Sequence, residues 1–124
     1  MYMAKIFELR NLSTSSLNRR RRRLLQELRL PPNLIRASVV ERFHTCGKPN
    51  CSCSRGQKHG PFYFLTQCLA VGRIQKFLLR SPVDRKAARA ATAAFNHFYD
   101  AMEELSQINT ELLRRGESIG GWAR

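Results

Sequence analysis

The sequence has 124 residues, which is enough for one small domain but not for two independent hydrophobic cores. Hydrophobic residues make up 43% and charged residues 25%, so the composition is that of a folded protein and excludes a disordered one. No apolar run reaches the roughly 18 residues that a membrane-spanning helix needs. The first residues show no long apolar segment followed by a cleavage site, so we expect a cytoplasmic protein.

Positive charge is the first unusual property of the chain. It has 22 Lys and Arg residues against 9 Asp and Glu, a formal net charge of +13. The whole excess lies in residues 1–82, which carry 16 basic and 3 acidic side chains, whereas residues 83–124 are balanced. Seventeen of the bases are Arg, whose planar guanidinium pairs with phosphate. This pattern favours nucleic acid as the partner, with an anionic membrane surface as the alternative.

The first 30 residues are expected to contain a basic helix. Residues 1–15 fit a helical turn or a short strand about equally. The Ser and Thr residues at 13–16 suit a helix N-terminus, and leucines at helical spacing predict a helix over 16–30 that ends before Pro31. We predict that its polar side contacts phosphates through Arg19, Arg20, Arg21, Arg22 and Arg23. The alternative is a solvated, partly frayed basic arm, because five successive like charges repel one another.

Residues 34–80 predict a three-stranded antiparallel sheet. Residues 34–44 alternate, with one side formed by Ile35, Ala37, Val39 and Phe43. Residues 62–70 and 73–80 predict a hairpin with Gly72 near its turn. Because three strands with one apolar face are not stable alone, we expect a helix to cover that face.

A long helix is predicted over residues 82–115. Ser81 is the expected cap, Pro82 suits the first helical position, and Gly116 suits the end, followed by a tail over 117–124. Its apolar stripe keeps a heptad spacing: Ala88, Ala91, Phe95, Phe98, Met102, Leu105, Asn109 and Leu112. The first half of the stripe is expected to cover the sheet. The second half covers its own chain or forms an interface with a larger protein or a homodimer, through Met102, Leu105, Asn109 and Leu112.

The segment 46–61 is rich in Cys, Gly and Pro and has no periodicity. Cys46, Cys51, Cys53 and His59 follow the pattern C-x4-C-x-C-x5-H, and three thiols with an imidazole are a ligand set that suits structural zinc. His44 is the second candidate for the fourth ligand. Cys68 is expected to be a core thiol and His97 an ordinary histidine. The alternative is a tight loop of free thiols whose Gly and Lys groups hold a phosphate.

Further nucleic-acid contacts are predicted near this loop. The basic candidates lie within it or on the neighbouring strands: Arg42, Lys48, Arg55, Lys58 and Arg73. Phe62, Tyr63 and Phe64 could stack on bases if they are exposed, and Tyr63 is the predicted contact. For Phe62 and Phe64 we favour the alternative, in which successive side chains of the strand alternate between core and surface.

The run from Cys46 to Tyr63 resembles the signature of a family of short, uncharacterised bacterial proteins, C-G-K-x-x-C-x-C-x-x-G-x-x-H-G-P-Y. The resemblance covers roughly residues 17–115. This chain departs from the signature at Phe62, where the family usually has Tyr, and at the hairpin turn, where a Gly-rich linker is commoner. Members are often encoded near mobile-element genes, so the resemblance implies a nucleic-acid context, and it implies no particular activity.

These observations predict a single α+β domain with a basic N-terminal helix, a three-stranded antiparallel sheet with a zinc-stapled loop, and a long C-terminal helix. The predicted function is that of a non-enzymatic nucleic-acid-binding accessory protein, associated with a mobile element, that does not bind membranes. One alternative is an adaptor that docks through its long helix. The other is an enzyme with a Cys nucleophile. The lack of a His and a carboxylate that accompany a Cys in a clear constellation argues against it.

Overall fold

A computed structural model of the chain describes residues 8–121. The elements, in chain order, are α1 (Thr14–Glu27), β1 (Ser38–His44), a short 3-10 helix (Ser52–Arg55), β2 (His59–Ala70), β3 (Arg73–Leu78) and α2 (Pro82–Arg114). The predicted fold class is confirmed. For residues 1–15 the sequence fits a helical turn or a strand, and the structure shows that residues 8–10 are helical. The described residues exclude 1–7 of this segment and 122–124 of the predicted tail.

The chain divides into two compact units. The sheet unit is Pro31–Asn96, and the helical unit combines residues up to Leu30 with residues from His97 onward. The helix α2 contributes its first half to the sheet unit and its second half to the helical unit.

The helix α1 begins at a side-chain cap and ends earlier than predicted. The hydroxyl of Ser13 accepts a hydrogen bond from the amide of Ser16 at 3.1 Å, which satisfies an unpaired donor of the first turn. The helix ends at Glu27, because Leu28 already leaves the helical region at φ −73° and ψ 86°. The three residues before Pro31 are therefore not helical.

The core of the helical unit joins α1 to the second half of α2. Its buried side chains are Leu9, Leu17, Leu24, Ile108 and Leu112. Beside this core, the carboxylate of Glu111 accepts hydrogen bonds from Arg114 and Arg115 at 2.6–3.0 Å. These bonds, that of Arg114 foremost, lower the pKa of Glu111 to about 2. Arg115 also donates to the Thr14 hydroxyl, so the cluster ties α2 to the start of α1.

The sheet has the order β1-β2-β3, and both pairs are antiparallel. The first strand begins at Ser38 rather than at residue 34, because the amide of Ile35 donates to the carbonyl of Ala91 on α2 instead of to the ladder. The second strand begins three residues earlier than predicted, at His59, which pairs with His44. A register shift between Arg42 and His44 ends the alternation there. The predicted inward position of Phe43 is therefore wrong, and 51% of this residue is exposed.

The two faces of the sheet differ in what packs against them. On the covered face, Val39, Tyr63 and Leu65 pack in one cluster with Leu79 and with Ala88 of α2. The residues between them in sequence form the open face, which the register defines as Ser38, Val40, Arg42, Phe62, Phe64, Thr66, Cys68, Ile74, Lys76 and Leu78. The helix expected to cover the sheet is thus confirmed as the first half of α2.

The helix α2 has the predicted caps but not a strict heptad stripe. The Ser81 hydroxyl accepts from the amide of Asp84, and the amides of Gly116 and Glu117 donate to the last turn, with Gly116 at φ +79°. Because a straight helix has 3.6 rather than 3.5 residues per turn, its buried side drifts away from a heptad pattern. Ile108 is fully buried, whereas its neighbour Asn109, which belongs to the predicted stripe, is only half-buried. Met102, also of that stripe, is 43% exposed. Within residues 8–121, no helix is long and apolar enough to cross a membrane.

Candidate functional site

The predicted Cys and His ligands meet where β1 and β2 approach each other. Cys46 follows the end of β1, Cys51 and Cys53 lie at the start of the 3-10 helix, and His59 opens β2. Gly60 makes this approach feasible, since a Cβ there would lie 2.9 Å from the carbonyl oxygen of Arg42. The antiparallel pairing of the two strands therefore closes the loop and brings its ends together.

The four ligand atoms form a compact cluster. All lie within 4.8 Å of one another. The Sγ atoms of Cys46 and Cys53 are 3.4 Å apart, and Sγ of Cys51 lies 3.1 Å from Nε2 of His59. In a zinc tetrahedron with Zn–S bonds of about 2.3 Å, neighbouring sulfur atoms are about 3.8 Å apart, so the cluster has the size that such an ion requires. These four residues are suited to hold a metal ion.

Hydrogen bonds within the loop favour the thiolate form of two cysteines. The pKa of Cys46 is lowered to about 6, first by the amide of Lys48 and then by Cys53 and His59. The pKa of Cys51 is lowered, chiefly by the amide of Cys53. The Cys46 amide lowers the pKa of Cys53, but burial and the neighbouring thiols outweigh it and leave that pKa raised. The pKa of His59 is raised by its hydrogen bonds to Cys46 and Cys51. Negative charge thus collects at the cluster, as a bound cation requires.

The other candidate ligands lie outside the cluster. His44 stacks on the ring of Phe62, with centroids 4.4 Å apart and planes 18° apart. Cys68 is exposed, so the expectation of a core thiol is wrong; it lies opposite Ile74 on the outer part of the sheet, which no core residue covers. His97 is exposed on α2. Among the described residues, His59 is therefore the histidine that meets the three thiols.

The five successive arginines of α1 divide into two groups. Arg20 pairs with Glu8 at 2.8 Å and lies 3.7 Å from Glu104. Arg21 donates to Oδ1 of Asn109 at 2.7 Å and to the carbonyl of Ile119. These two guanidinium groups hold the helical unit together. The exposed members of the run are Arg19, Arg22 and Arg23.

The sheet unit carries most of the excess charge. Between residues 31 and 96 there are eleven basic and two acidic side chains, a balance of +9. The predicted contact residues in this unit are all exposed: Arg42, Lys48, Arg55, Lys58 and Arg73. Sequence reasoning missed two bases at the open face: Arg36, which donates to the carbonyl of Cys68, and Lys76, which lies opposite Thr66. The alternation of residues 34–44, which sets Arg36 and Arg42 on the same side, was the available signal for the first of these.

Tyr63 is half-buried and lies on the face of the sheet that α2 covers. Its ring packs on the covered face with Leu65 and Ala88. The guanidinium groups of Arg85 and Arg89 lie 4.7 and 5.5 Å from the centre of the ring. Strand alternation turns this residue toward α2 and turns its neighbours the other way, so base stacking at Tyr63 stays a prediction that its packing does not favour.

The stripe predicted as a partner interface is largely used within the chain. Leu112 is fully buried, Leu105 packs against the same core, and Asn109 accepts the hydrogen bond from Arg21. Of the four predicted residues, only Met102 is exposed. The helix α1 occupies the face of α2 that a second chain would have needed.

Comparison with known proteins adds one similarity. Residues 14–68 match the model of a family described as a domain of unknown function (DUF6788), a segment that includes α1, β1, the Cys and His loop and most of β2. No curated protein and no solved structure matches the chain. The match is consistent with the resemblance to an uncharacterised family and ascribes no activity to the chain.

Proposed function

We propose that this protein binds nucleic acid without catalysing a reaction, and that zinc in the Cys and His cluster holds its sheet unit in the binding form. The observation that carries the proposal is the charge of the sheet unit. Its two carboxylates, Glu41 and Asp84, can neutralise at most two of its eleven bases. The remaining positive charge attracts a polyanion, and arginine-rich surfaces suit phosphate.

Zinc is the metal that best suits the ligand set. Three thiols and one imidazole are soft or borderline ligands, whereas magnesium and calcium prefer oxygen. Four protein ligands fill a tetrahedral shell and leave no position for a reactive water, which is the pattern of a structural site. In that site, Cys46, Cys51, Cys53 and His59 would join the end of β1 to the start of β2.

The alternatives receive less support from the side chains. An adaptor that docks through α2 needs a free apolar stripe, but Leu105 and Leu112 pack within the chain. A Cys nucleophile needs a free thiol with a base beside it. Cys46, Cys51 and Cys53 belong to the cluster, and the exposed Cys68 lies opposite Ile74, which is no base. Association with a mobile element rests on the family resemblance alone and stays a prediction.

The test is a binding experiment with the full, zinc-loaded chain. Fluorescence anisotropy is measured with labelled single-stranded and duplex oligonucleotides of one sequence at low salt. We expect the chain to bind either oligonucleotide. A triple substitution of the exposed α1 arginines, Arg19, Arg22 and Arg23, to Gln should weaken binding to both the single strand and the duplex.

Poly-glutamate and anionic vesicles serve as controls for general attraction to negative charge. Nucleic acid is supported as the partner if unlabelled oligonucleotide displaces the labelled one and poly-glutamate or vesicles, at an equal concentration of negative charge, do not. The absence of measurable oligonucleotide binding at low salt, or stronger competition by vesicles, would contradict the proposal.

A further inference from the structure

The open face of the sheet has the composition of a surface that stacks nucleobases. Phe62 and Phe64 lie two residues apart on β2, the central strand, so both side chains point to this face. At about 3.3 Å per residue their Cα atoms are about 6.6 Å apart along the strand. Both are only partly buried, although β2 has a strand on each side. Two partly exposed aromatic rings therefore lie in line on the open face.

Contacts around the two rings hold them in place. The His44 ring stacks on Phe62, with a centroid distance of 4.4 Å, and Nζ of Lys76 lies 5.4 Å from the centre of the Phe64 ring. A ring that is already oriented loses less conformational freedom when a ligand stacks on it. Because His44 and Lys76 each occupy one side of a ring, a base would stack on the opposite side or extend the stack at His44.

The open face is bordered by positive charge. Arg42 lies opposite Phe62 in the β1–β2 ladder, and Lys76 lies opposite Thr66 in the β2–β3 ladder. The guanidinium group of Arg36 reaches the carbonyl of Cys68 at 3.1 Å, at the far end of the same face. The one carboxylate of these strands, Glu41, pairs with Tyr63 and points to the covered face.

We propose that the open face binds single-stranded nucleic acid, with bases stacked on Phe62 and Phe64 and phosphates near Arg36, Arg42 and Lys76. This inference rests on the proposed function and specifies which form of nucleic acid binds and where. The bases of a duplex are stacked on one another, whereas those of a single strand are free to stack on aromatic side chains. Two copies of this face would instead bring like charges together, which disfavours a homodimer through it.

The test compares leucine substitutions on the two faces of the sheet. Phe62→Leu and Phe64→Leu remove an aromatic face but keep apolar volume, and Phe77→Leu is the matched control. Phe77 is an exposed aromatic of the same sheet that pairs with Leu65, so it points to the opposite face. We expect each open-face substitution to weaken oligothymidine binding about tenfold, with Phe77→Leu binding like the wild type.

Salt dependence separates stacking from charge. The leucine variants should keep the wild-type slope of log affinity against log salt, because they lose no phosphate contact. Arg42→Gln and Lys76→Gln should each reduce the slope by about 0.7. Because a substitution in the sheet can also unfold a small domain, Phe64→Trp is made in parallel on a Trp122→Phe background, which removes the other indole of the chain. This variant should retain affinity, and oligothymidine should quench the indole fluorescence at position 64.

Three outcomes would overturn the inference. In the first, folded Phe62→Leu and Phe64→Leu variants bind with wild-type affinity and the charge variants bind more weakly. This result would contradict base stacking on the open face but not the proposed function. In the second, neither oligothymidine nor its RNA equivalent quenches the fluorescence of the Phe64→Trp variant, which would also contradict stacking on the open face. A wild-type dimer in sedimentation that Phe64→Leu converts to monomer, with unchanged oligonucleotide affinity, would assign the face to a second copy. Failure of every variant and the wild type to bind nucleic acid would instead remove the proposed function.

Discussion

Removal of the metal should destabilise the sheet unit by an amount that follows from the length of the loop. The ligands Cys46 and His59 enclose 14 residues of chain, counted inclusively. If the ion acts as a cross-link, closing a loop of this length contributes about 3 kcal/mol to the free energy of unfolding. For a chain of this size, that corresponds to a fall in Tm of roughly 10 °C.

The assay is metal analysis and thermal unfolding of the full chain, with and without a zinc chelator. One zinc per chain is expected, and Cys53→Ser should lose the zinc and the corresponding stability. Cys68→Ser is the matched control, because Cys68 is exposed and lies outside the cluster. A chain purified without stoichiometric metal, whose Tm a chelator does not change, would refute the cross-link.

Three further substitutions test the packing that positions the site. Leu112→Ala should cost about 3–5 kcal/mol in chemical denaturation because Leu112 is fully buried, whereas Leu113→Ala, at a position 62% exposed, should change stability by less than about 0.5 kcal/mol. Glu111→Gln should lower the free energy of unfolding by about 1.5–3 kcal/mol at neutral pH. Because the folded pKa of Glu111 is lowered to about 2, this difference in stability from the wild type should shrink as pH falls from about 4.5 toward 2. Gly60→Ala should cost more than Gly72→Ala and also weaken metal binding, since only the Cβ at Gly60 meets backbone, at 2.9 Å. Equal costs for either matched pair, or a pH profile unchanged by Glu111→Gln, would contradict the packing described.

Local signals in the sequence were sufficient for the element order and for the three cysteines of the cluster, whereas the choice of His59 over His44 came from the structure. Ser13 and Ser81 precede the two helices and cap them. The spacing of Cys46, Cys51 and Cys53 predicts a metal loop because close cysteines bend the chain around an ion. Such features depend on neighbouring residues, so they can be identified without knowing the tertiary structure.

The contacts that decide which arginines are free could not be predicted in this way. Arg20 and Arg21 look like Arg22 in sequence, but their partners Glu104 and Asn109 lie more than 80 residues away. Only the packing of α1 on α2 reveals these pairs. The number of arginines on α1 that are available to phosphates is therefore a tertiary property.

The orientation of the β2 aromatics is a second tertiary property. Alternation shows that Tyr63 and Phe64 point to opposite faces, but it does not show which face α2 covers. The cluster of Tyr63 with Leu65 and Ala88 settles this, and it leaves Phe64 on the open face. The sequence therefore predicted aromatic stacking near the loop, and the structure leaves Phe64, rather than Tyr63, on the open face.

The salt dependence of single-strand binding tests the nucleic-acid proposal most directly. The affinity of the zinc-loaded chain for a labelled oligothymidine is measured over a series of salt concentrations. Contacts from Arg36, Arg42 and Lys76 alone predict a slope of log affinity against log salt of about −2, and further bases would make it steeper. A slope near zero, or no measurable affinity at the lowest salt, would contradict the proposal that this basic surface binds nucleic acid.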